Sequence, residues 1–124
     1  MKIRVLIVDD HQEFREGLKV VINHQEDMEV VGVAENGEEA VVLTRDLLPD
    51  IILMDVKMPV MDGTEATRRI LAEMPDMNIW ALSMYNDAGL MEGVLRAGAQ
   101  GHILKGCDAE LTGRIRRAAG SRSI

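Results

Sequence analysis

Short apolar runs alternate with amphipathic segments along the whole chain. Each run has the length of a strand, and each is followed by apolar residues spaced three or four apart, which is typical of a helix. The runs are Ile3–Val8, Glu29–Ala34, Ile51–Met54, Asn78–Leu82 and Gly101–Leu104. Five strand–helix units in succession predict an α/β fold: a doubly wound (βα)5 parallel five-stranded sheet with helices on both faces.

The apolar stripes predict which face of each helix is buried. The predicted inner residues are Phe14, Leu18, Val21 and Ile22 in the first helix, Ala40, Leu43, Leu47 and Leu48 in the second, Ala66 and Ile70 in the third, Leu90, Val94 and Ala97 in the fourth, and Leu111, Ile115 and Ala118 in the fifth. Pro49 is expected to end the second helix, and Asp108 to cap the start of the fifth.

Length and composition indicate one ordered domain. The chain has 124 residues, of which 47% are hydrophobic, so it can bury a core and is not expected to be disordered. No internal boundary is apparent, and only the stretch 120–124 has the composition of a linker. The net charge of −7 argues against direct nucleic-acid binding.

The single cysteine, Cys107, excludes an internal disulfide and a cysteine-based zinc site. No signal peptide precedes the first strand, and no apolar run approaches the ~20 residues of a membrane span. These features predict a cytoplasmic protein with no membrane partner.

Polar residues stand where four of the five strands end. Asp9 and Asp10 follow the first strand, Asp55 the third, Ser83 the fourth and Lys105 the fifth. Parallel strands bring their carboxyl ends to one edge of the sheet, where ligands bind at the topological switch point. We therefore expect these side chains to form one site.

The residue types of this site indicate phosphoryl chemistry. Three carboxylates repel one another unless a cation joins them, and their oxygens suit Mg²⁺ or Mn²⁺. Lys105 supplies positive charge and Ser83 a hydroxyl donor for phosphoryl oxygens. An aspartate can itself be the nucleophile, so we interpret Asp55 as the acceptor of a phosphoryl group.

Two other functional classes are compatible with a doubly wound sheet. A phosphatase with an aspartate nucleophile needs a second aspartate two residues later, where this chain has Lys57. A nucleotide- or flavin-binding domain needs a Gly-rich or Ser/Thr-rich loop after the first strand, but residues 9–12 read Asp-Asp-His-Gln. Both classes fit less well than a phosphorylation switch.

Several motifs together resemble the receiver domain of two-component response regulators. They are Val8–His11, Asp55 with Met58-Pro59, Met61–Gly63, Ser83, and Ala97–Gly101 leading to Lys105. The Asp9–His11 triplet, residues 36–40 and residues 97–105 are most similar to the NarL/LuxR type of transcriptional regulator. The resemblance covers nearly the whole chain and implies the strand order 2-1-3-4-5.

The resemblance also implies roles for the site residues. Asp10 and Asp55 bind Mg²⁺ (or Mn²⁺) directly, together with the backbone carbonyl of Lys57, and Asp9 helps to hold the ion through water. Asp55 accepts the phosphoryl group from a sensor histidine kinase. Lys105 pairs with that group, and Ser83 turns inward to donate a hydrogen bond to it.

Further implications concern the whole regulator. Residues 1–119 would be the receiver, and 120–124 the start of a linker to an output domain that this chain lacks, such as a DNA-binding helix-turn-helix domain. The receiver would be a switch rather than an enzyme, assisting only its own phosphorylation and dephosphorylation. It would form a homodimer on phosphorylation.

Some positions depart from the family or are less informative. His102 stands where the family commonly has a Tyr or Phe switch residue. It either packs as that aromatic residue does or makes the switch sensitive to pH, since histidine is the residue that titrates in the physiological range. Tyr85 either partly shields the phosphoryl group from water or is an ordinary surface residue. Gly89 and Gly93 are expected to leave the fourth helix loosely held, unless a close contact with another helix or a strand requires small residues there. The arginines at 114, 116 and 117 are predicted to form a solvated helix face or a partner surface.

Overall fold

The computed structural model describes residues 2–84, 88–105 and 108–122. Strands and helices alternate along this part of the chain. They are β1 (Ile3–Val8), α1 (Gln12–Asn23), β2 (Met28–Ala34), α2 (Gly37–Leu47), β3 (Ile51–Asp55), α3 (Gly63–Glu73), β4 (Ile79–Ser83), α4 (Ala88–Arg96), β5 (Gly101–Leu104) and α5 (Asp108–Arg122). The strands form one parallel sheet in the order β2-β1-β3-β4-β5, which confirms the predicted fold.

The sheet is buried on both faces, and its strands divide the core into two layers. Side chains alternate between the faces of a strand. In β1, Val5 and Ile7 therefore pack with α1 and α5 residues such as Leu18 and Ile115, whereas Leu6 and Val8 enter the layer formed with α2, α3 and α4. This two-sided burial explains why the central strands are continuous apolar runs rather than alternating ones.

Most predicted inner helix positions are buried or half-buried, but two are wrong. Leu48 is 60% exposed because α2 ends at Leu47, and Leu48 caps the helix in a left-handed conformation with φ of 47°. Leu90 is 42% exposed, and the buried residues of α4 are Met91 and Val94. Met91 and Val94, three residues apart, form the inner face of α4, and Leu90 lies outside it.

Helix α5 affects two expectations near the end of the chain. Asp108 is its first residue rather than the residue before it, and the helix continues to Arg122. Residues 120–122, expected to begin a linker, are thus helical, and a domain boundary at residue 119 remains a prediction. Tyr85 and Cys107 lie outside the described residues. Within the described ranges, no helix has the length and apolarity needed to cross a bilayer.

The strand order fixes where a ligand can bind. From β1 the chain passes to β2 at one side and then to β3 at the other, so the connections diverge between β1 and β3. The crevice at the carboxyl ends of these two strands is the topological switch point of the sheet. The carboxyl ends of β1, β3, β4 and β5 all lie along this edge.

Candidate functional site

Neighbouring strands bring the three aspartates together. Val8 pairs with Met54 in the register of β1 and β3, so Asp9, directly after β1, stands beside Asp55, the last residue of β3. Asp9 and Asp55 are buried, whereas Asp10 is exposed. One ligand atom from each of Asp9, Asp10, His11 and Asp55 lies within 4.8 Å of the others. The predicted acidic site is therefore formed by the fold itself.

Lys105 directly follows the carboxyl end of β5 and extends its side chain to this acidic cluster. Its Nζ lies 2.8 Å from Asp9 Oδ2 and 3.4 Å from Asp55 Oδ1. The ring of Phe14 lies under the ammonium group, 4.9 Å from Nζ to its centroid, a cation–π distance. The Lys105 amide donates to the Ser83 carbonyl at 2.8 Å, which holds Lys105 against the end of β4. The charge of Lys105 is thus fixed beside the aspartates.

Asp55 has one buried carboxylate oxygen that accepts no hydrogen bond from the part of the chain that the structure describes. Its Oδ1 accepts a hydrogen bond from the Val56 amide at 2.9 Å, while its buried Oδ2 has no hydrogen-bond partner among the described residues. Burial, and then the charge of Asp9, raise the pKa of Asp55 from 3.8 to about 6, although Lys105 opposes the shift. An unpartnered carboxylate oxygen beside two other carboxylates is suited to a hard divalent cation.

The loop between β3 and α3 is held close to Asp55. The Gly63 amide donates to the Val56 carbonyl at 2.7 Å, and a Cβ at Gly63 would collide with the Asp55 carbonyl. Asp62 caps α3 by accepting from the Glu65 amide at 2.8 Å. The Met-Asp-Gly sequence thus lets α3 begin directly against the end of β3, which only glycine permits at this contact.

The same loop contains a strained turn. Val60 has φ of 68°, in the left-handed region, and the Met61 amide donates to the Pro59 carbonyl at 2.7 Å across a three-residue γ-turn. The Gly37 amide donates to the Met61 carbonyl at 2.8 Å, which fixes the loop to the start of α2. These bonds set the course of the chain near Lys57, whose side chain is exposed.

Ser83 is the last residue of β4, and His102 lies in the neighbouring strand β5. Ser83 is buried, and its Oγ donates to the Ile103 carbonyl of β5 at 3.4 Å. His102 is exposed on β5, the edge strand of the sheet. Both residues line one depression of about 160 Å³, together with Leu104 and Arg114. Ser83 is thus bonded to Lys105 through its backbone and lines the same depression as His102.

Two further residues contact the site, and the sequence alone assigns neither of them a role. His11 Nδ1 lies 3.0 Å from Asp9 Oδ1, and its backbone amide donates to the same oxygen at 2.9 Å. Arg15 is buried, and its guanidinium donates to the Asp9 carbonyl at 2.8 Å and to Glu35 Oε1 at 3.2 Å. Arg15 precedes Leu18 by three residues and Ile22 by seven, so it lies on the inner face of α1. A search for apolar stripes alone overlooks it.

The predicted arginine face of α5 makes one specific contact. Arg116 Nε donates to Asp27 Oδ2 at 2.7 Å and its Nη2 to Gln25 Oε1 at 2.7 Å, both in the turn before β2. This ion pair holds the pKa of Asp27 below its usual value. Arg114 and Arg117 are exposed, as expected for a solvated face.

Comparison with known proteins gives consistent matches. The family described as "Response regulator receiver domain" matches residues 5–116. The chain is 44% identical over 109 residues to the transcriptional regulatory protein DegU of Brevibacillus brevis, which covers 88% of this chain and 46% of that protein. The match to the transcriptional regulatory protein LiaR of Bacillus subtilis (strain 168) covers 56% of that protein. The chain thus spans about half the length of the curated relatives it matches.

Solved structures agree in fold. The response regulator domain of Thermotoga maritima CheB superposes with a TM-score of 0.88 at 36% identity, covering 97% of this chain and 98% of that one. A two-component response regulator of the LuxR family from Aurantimonas sp. SI85-9A1 superposes with a TM-score of 0.90 at 32% identity, covering 98% of this chain and 88% of that one.

Proposed function

We propose, from the premise that the chain belongs to the response regulator receiver domains, that it accepts a phosphoryl group on Asp55 and passes the signal on by a change of conformation. A receiver domain is a signalling switch and not a classical enzyme, and response regulators work with histidine kinases and output domains. The observation that carries the assignment to Asp55 is its buried, unpartnered Oδ2 within the acidic cluster, with Lys105 3.4 Å from its other oxygen.

The transfer needs few groups from the protein. In the proposed step, an Asp55 carboxylate oxygen attacks the phosphorus of a phosphohistidine on a sensor histidine kinase. A P–O bond forms, the P–N bond breaks, and the imidazole leaves with the electron pair and takes up a proton. Because phosphoryl transfer depends mainly on positioning and charge stabilisation, an ionised Asp55 and fixed cations suffice.

Receiver domains bind Mg²⁺ at their acidic pocket, and the donor set of this chain fits such an ion. We propose that Asp10, Asp55 and the backbone carbonyl of Lys57 hold Mg²⁺ or Mn²⁺ directly, with Asp9 assisting through water. The ion would neutralise the carboxylates and stabilise charge on the phosphoryl oxygens. Asp9 is suited to an assisting role because its Oδ2 is already paired with Lys105 at 2.8 Å.

Lys105 and Ser83 would change their contacts when Asp55 is phosphorylated. Lys105 Nζ would exchange part of its contact with Asp9 and Asp55 for a phosphoryl oxygen. Ser83 Oγ would leave the Ile103 carbonyl, 3.4 Å away, and donate to the phosphoryl group instead. The shared depression beside Ser83 supports a coupled movement of His102, which would change the surface formed by β5.

The proposal extends to the whole regulator. The relatives are named as transcriptional regulatory proteins and are about twice as long, which supports an output domain, proposed to bind DNA, beyond a linker that begins near residue 120. The receiver, residues 1–119, would not bind nucleic acid itself. We further propose a cytoplasmic location, homodimerisation on phosphorylation, and self-catalysed loss of the phosphoryl group to water.

Intact-mass measurement after incubation with a small acyl phosphate and Mg²⁺ tests the acceptor. We expect the gain of one phosphoryl group in the wild type and none in Asp55→Asn or after chelation of the metal. Asp76→Asn is the matched control, because Asp76 is exposed in the turn before β4, at the opposite edge of the sheet.

Two outcomes would count against the assignment. Undiminished phosphorylation of Asp55→Asn would move the acceptor to another residue. If the wild type gains no mass, the beryllofluoride complex decides: its formation would indicate fast hydrolysis, and its absence would mean that Asp55 is not a phosphoacceptor.

A further inference from the structure

We propose that His11 is a ligand of the metal site, through Nδ1, when the ion is one that prefers nitrogen donors, such as Cu²⁺ or Ni²⁺. This inference rests on the proposed function, because it concerns the same acidic site. It adds a nitrogen donor to a set of carboxylate oxygens. The site would then bind Ni²⁺ more tightly than its oxygen ligands alone allow.

The position of the imidazole fits an octahedral ion. With bonds of about 2.1 Å, adjacent ligands lie about 3.0 Å apart and opposite ligands about 4.2 Å apart. His11 Nδ1 lies 3.0 Å from Asp9 Oδ1, 3.4 Å from Asp10 Oδ1 and 4.0 Å from Asp55 Oδ2. The first two distances bring Nδ1 next to Asp9 and Asp10, and the third leaves room for an ion between Nδ1 and Asp55 Oδ2. An ion that Asp10 and Asp55 hold directly can therefore also contact Nδ1, while Asp9 assists through water.

Two further features of the site support this arrangement. Asp55 Oδ2 is buried and has no hydrogen-bond partner among the described residues, so it is an oxygen in need of a cation. Asp9 uses Oδ2 for Lys105, at 2.8 Å, which leaves Oδ1 on the side of the imidazole. The carboxylate oxygens nearest Nδ1 are thus not already occupied by the lysine.

The backbone holds His11 in place without constraining what its ring binds. His11 precedes the first residue of α1 with extended backbone angles, φ −90° and ψ 104°, and its side chain makes no capping hydrogen bond. Its amide donates to Asp9 Oδ1 at 2.9 Å. The ring is 67% exposed, so an ion can reach Nδ1 from solvent.

Donor chemistry predicts which ions would reveal this ligand. Imidazole suits Ni²⁺, Zn²⁺ and Cu²⁺, whereas Mg²⁺ prefers oxygen ligands and keeps several waters. Loss of the imidazole should therefore weaken Ni²⁺ binding strongly and Mg²⁺ binding little. The alternative is that His11 only forms a hydrogen bond with Asp9 and lies outside the coordination sphere.

Pulsed electron paramagnetic resonance of the protein with one equivalent of Cu²⁺ separates these two arrangements. We expect nitrogen modulation of the Cu²⁺ signal in the wild type and its loss in His11→Asn and His11→Ala. His24→Asn is the matched control, because His24 is also exposed at an end of α1 and should keep the modulation. Asparagine is a favoured residue before a helix, so His11→Asn should fold normally.

Calorimetric titration with Ni²⁺ and Mg²⁺ gives the second readout. We expect the dissociation constant for Ni²⁺ to rise at least about tenfold in His11→Ala, and that for Mg²⁺ to change by less than about twofold. Bound Cu²⁺ without nitrogen modulation in the wild type would overturn the role of His11 and leave the acidic site intact. Failure of the wild type to bind Mg²⁺ or Mn²⁺ at all would instead overturn the proposed function.

Discussion

The ionised form of Asp55 destabilises the folded protein at neutral pH. Burial and the charge of Asp9 raise the pKa of Asp55 to about 6, yet phosphoryl transfer needs the carboxylate ionised. At pH 7 Asp55 is mostly ionised, and the folded state bears the cost of that charge. Lys105 offsets only part of it, because its ammonium group lies closer to Asp9 than to Asp55.

This cost predicts the effect of Asp55→Asn on stability. The folded pKa of about 6 is above the usual 3.8, so the folded state binds more protons between these values. The contribution of Asp55 to the stability of the wild type should therefore fall as the pH rises from about 4 to about 6. Asp55→Asn avoids this loss and should be more stable at pH 7, by about 1–2 kcal/mol after allowance for solvent screening.

Urea unfolding of both proteins at a series of pH values checks this prediction. The difference in unfolding free energy should be largest above pH 6 and should shrink toward pH 4. A constant difference across this range would mean that the titration of Asp55 is not its source. Asp76→Asn, at the opposite edge, should show little difference at any pH.

The sequence predicts part of the site well, for a physical reason. In a parallel sheet, any polar residue that directly follows a strand must lie at the same edge, so Asp9, Asp10, Asp55 and Lys105 could be grouped from the strand boundaries alone. His11 and Arg15 could not, because their contacts depend on how α1 is turned against β1. That angle is set by packing and not by a motif.

Two glycines in helices play opposite parts in the fold. Gly63 begins α3 in contact with the end of β3, where a Cβ would collide with the backbone of Asp55 and Val56. Gly93 lies within α4, and nothing stands within 4 Å of the position its Cβ would take. Spacing and composition do not distinguish the two positions, but the packing does.

The two substitutions to alanine should therefore differ in sign. Gly63→Ala should destabilise the protein by about 1–3 kcal/mol, since backbone must shift to admit the methyl group. Gly93→Ala should stabilise it by about 0.5–1 kcal/mol, through the lower entropy of the unfolded chain and the better helix propensity. Thermal and urea unfolding measure both effects. If Gly63→Ala is neutral, the close approach of α3 to β3 does not constrain this position.

Helix α4 is expected to be the least protected of the helices on its face of the sheet. Its buried residues are Met91 and Val94, whereas α2 buries Gly37, Ala40, Val41 and Thr44 along its length. It also contains Gly89 and Gly93 without a close contact that requires them. A helix with few buried contacts and two glycines opens readily, which suits a surface that changes on phosphorylation.

Amide hydrogen exchange tests this expectation. Amides of α4 should exchange faster than those of α2, and Gly93→Ala should slow the exchange in α4 without changing that in α2. Equal protection of the two helices in the wild type would contradict a loosely held α4.

At the level of elements, the sequence predicts strands better than helix faces. Buried strands are continuous apolar runs with clear ends, so all five were found within about two residues. Leu48 and Leu90 differ from the prediction because spacing alone does not show where a helix ends or which of two adjacent apolar residues faces the core. The left-handed cap at Leu48 ends α2, and in α4 Met91 rather than its neighbour Leu90 is buried.

Charge is unevenly distributed over the whole molecule. The net charge is −7, and three of the acidic residues converge at one edge of the sheet. Exposed pairs such as Arg45 with Glu73 and Arg116 with Asp27 lie elsewhere and contribute little each, as exposed ion pairs do. These surface pairs do not reduce the repulsion within the acidic cluster. A divalent cation bound at the cluster would reduce it.

Binding of Mg²⁺ at the cluster should stabilise the entire fold, because the site exists only when β1 and β3 are paired. The gain follows RT ln(1 + [Mg²⁺]/Kd), so each tenfold increase in free Mg²⁺ above Kd should add about 1.4 kcal/mol to the free energy of unfolding.

Thermal unfolding in MgCl2 and in NaCl of equal ionic strength separates binding from screening. Asp10→Asn should lose most of the Mg²⁺-dependent gain and Asp76→Asn should keep it. Equal stabilisation by the two salts would mean that Mg²⁺ acts only by screening the net charge, and the acidic edge of the sheet would then not be a metal site.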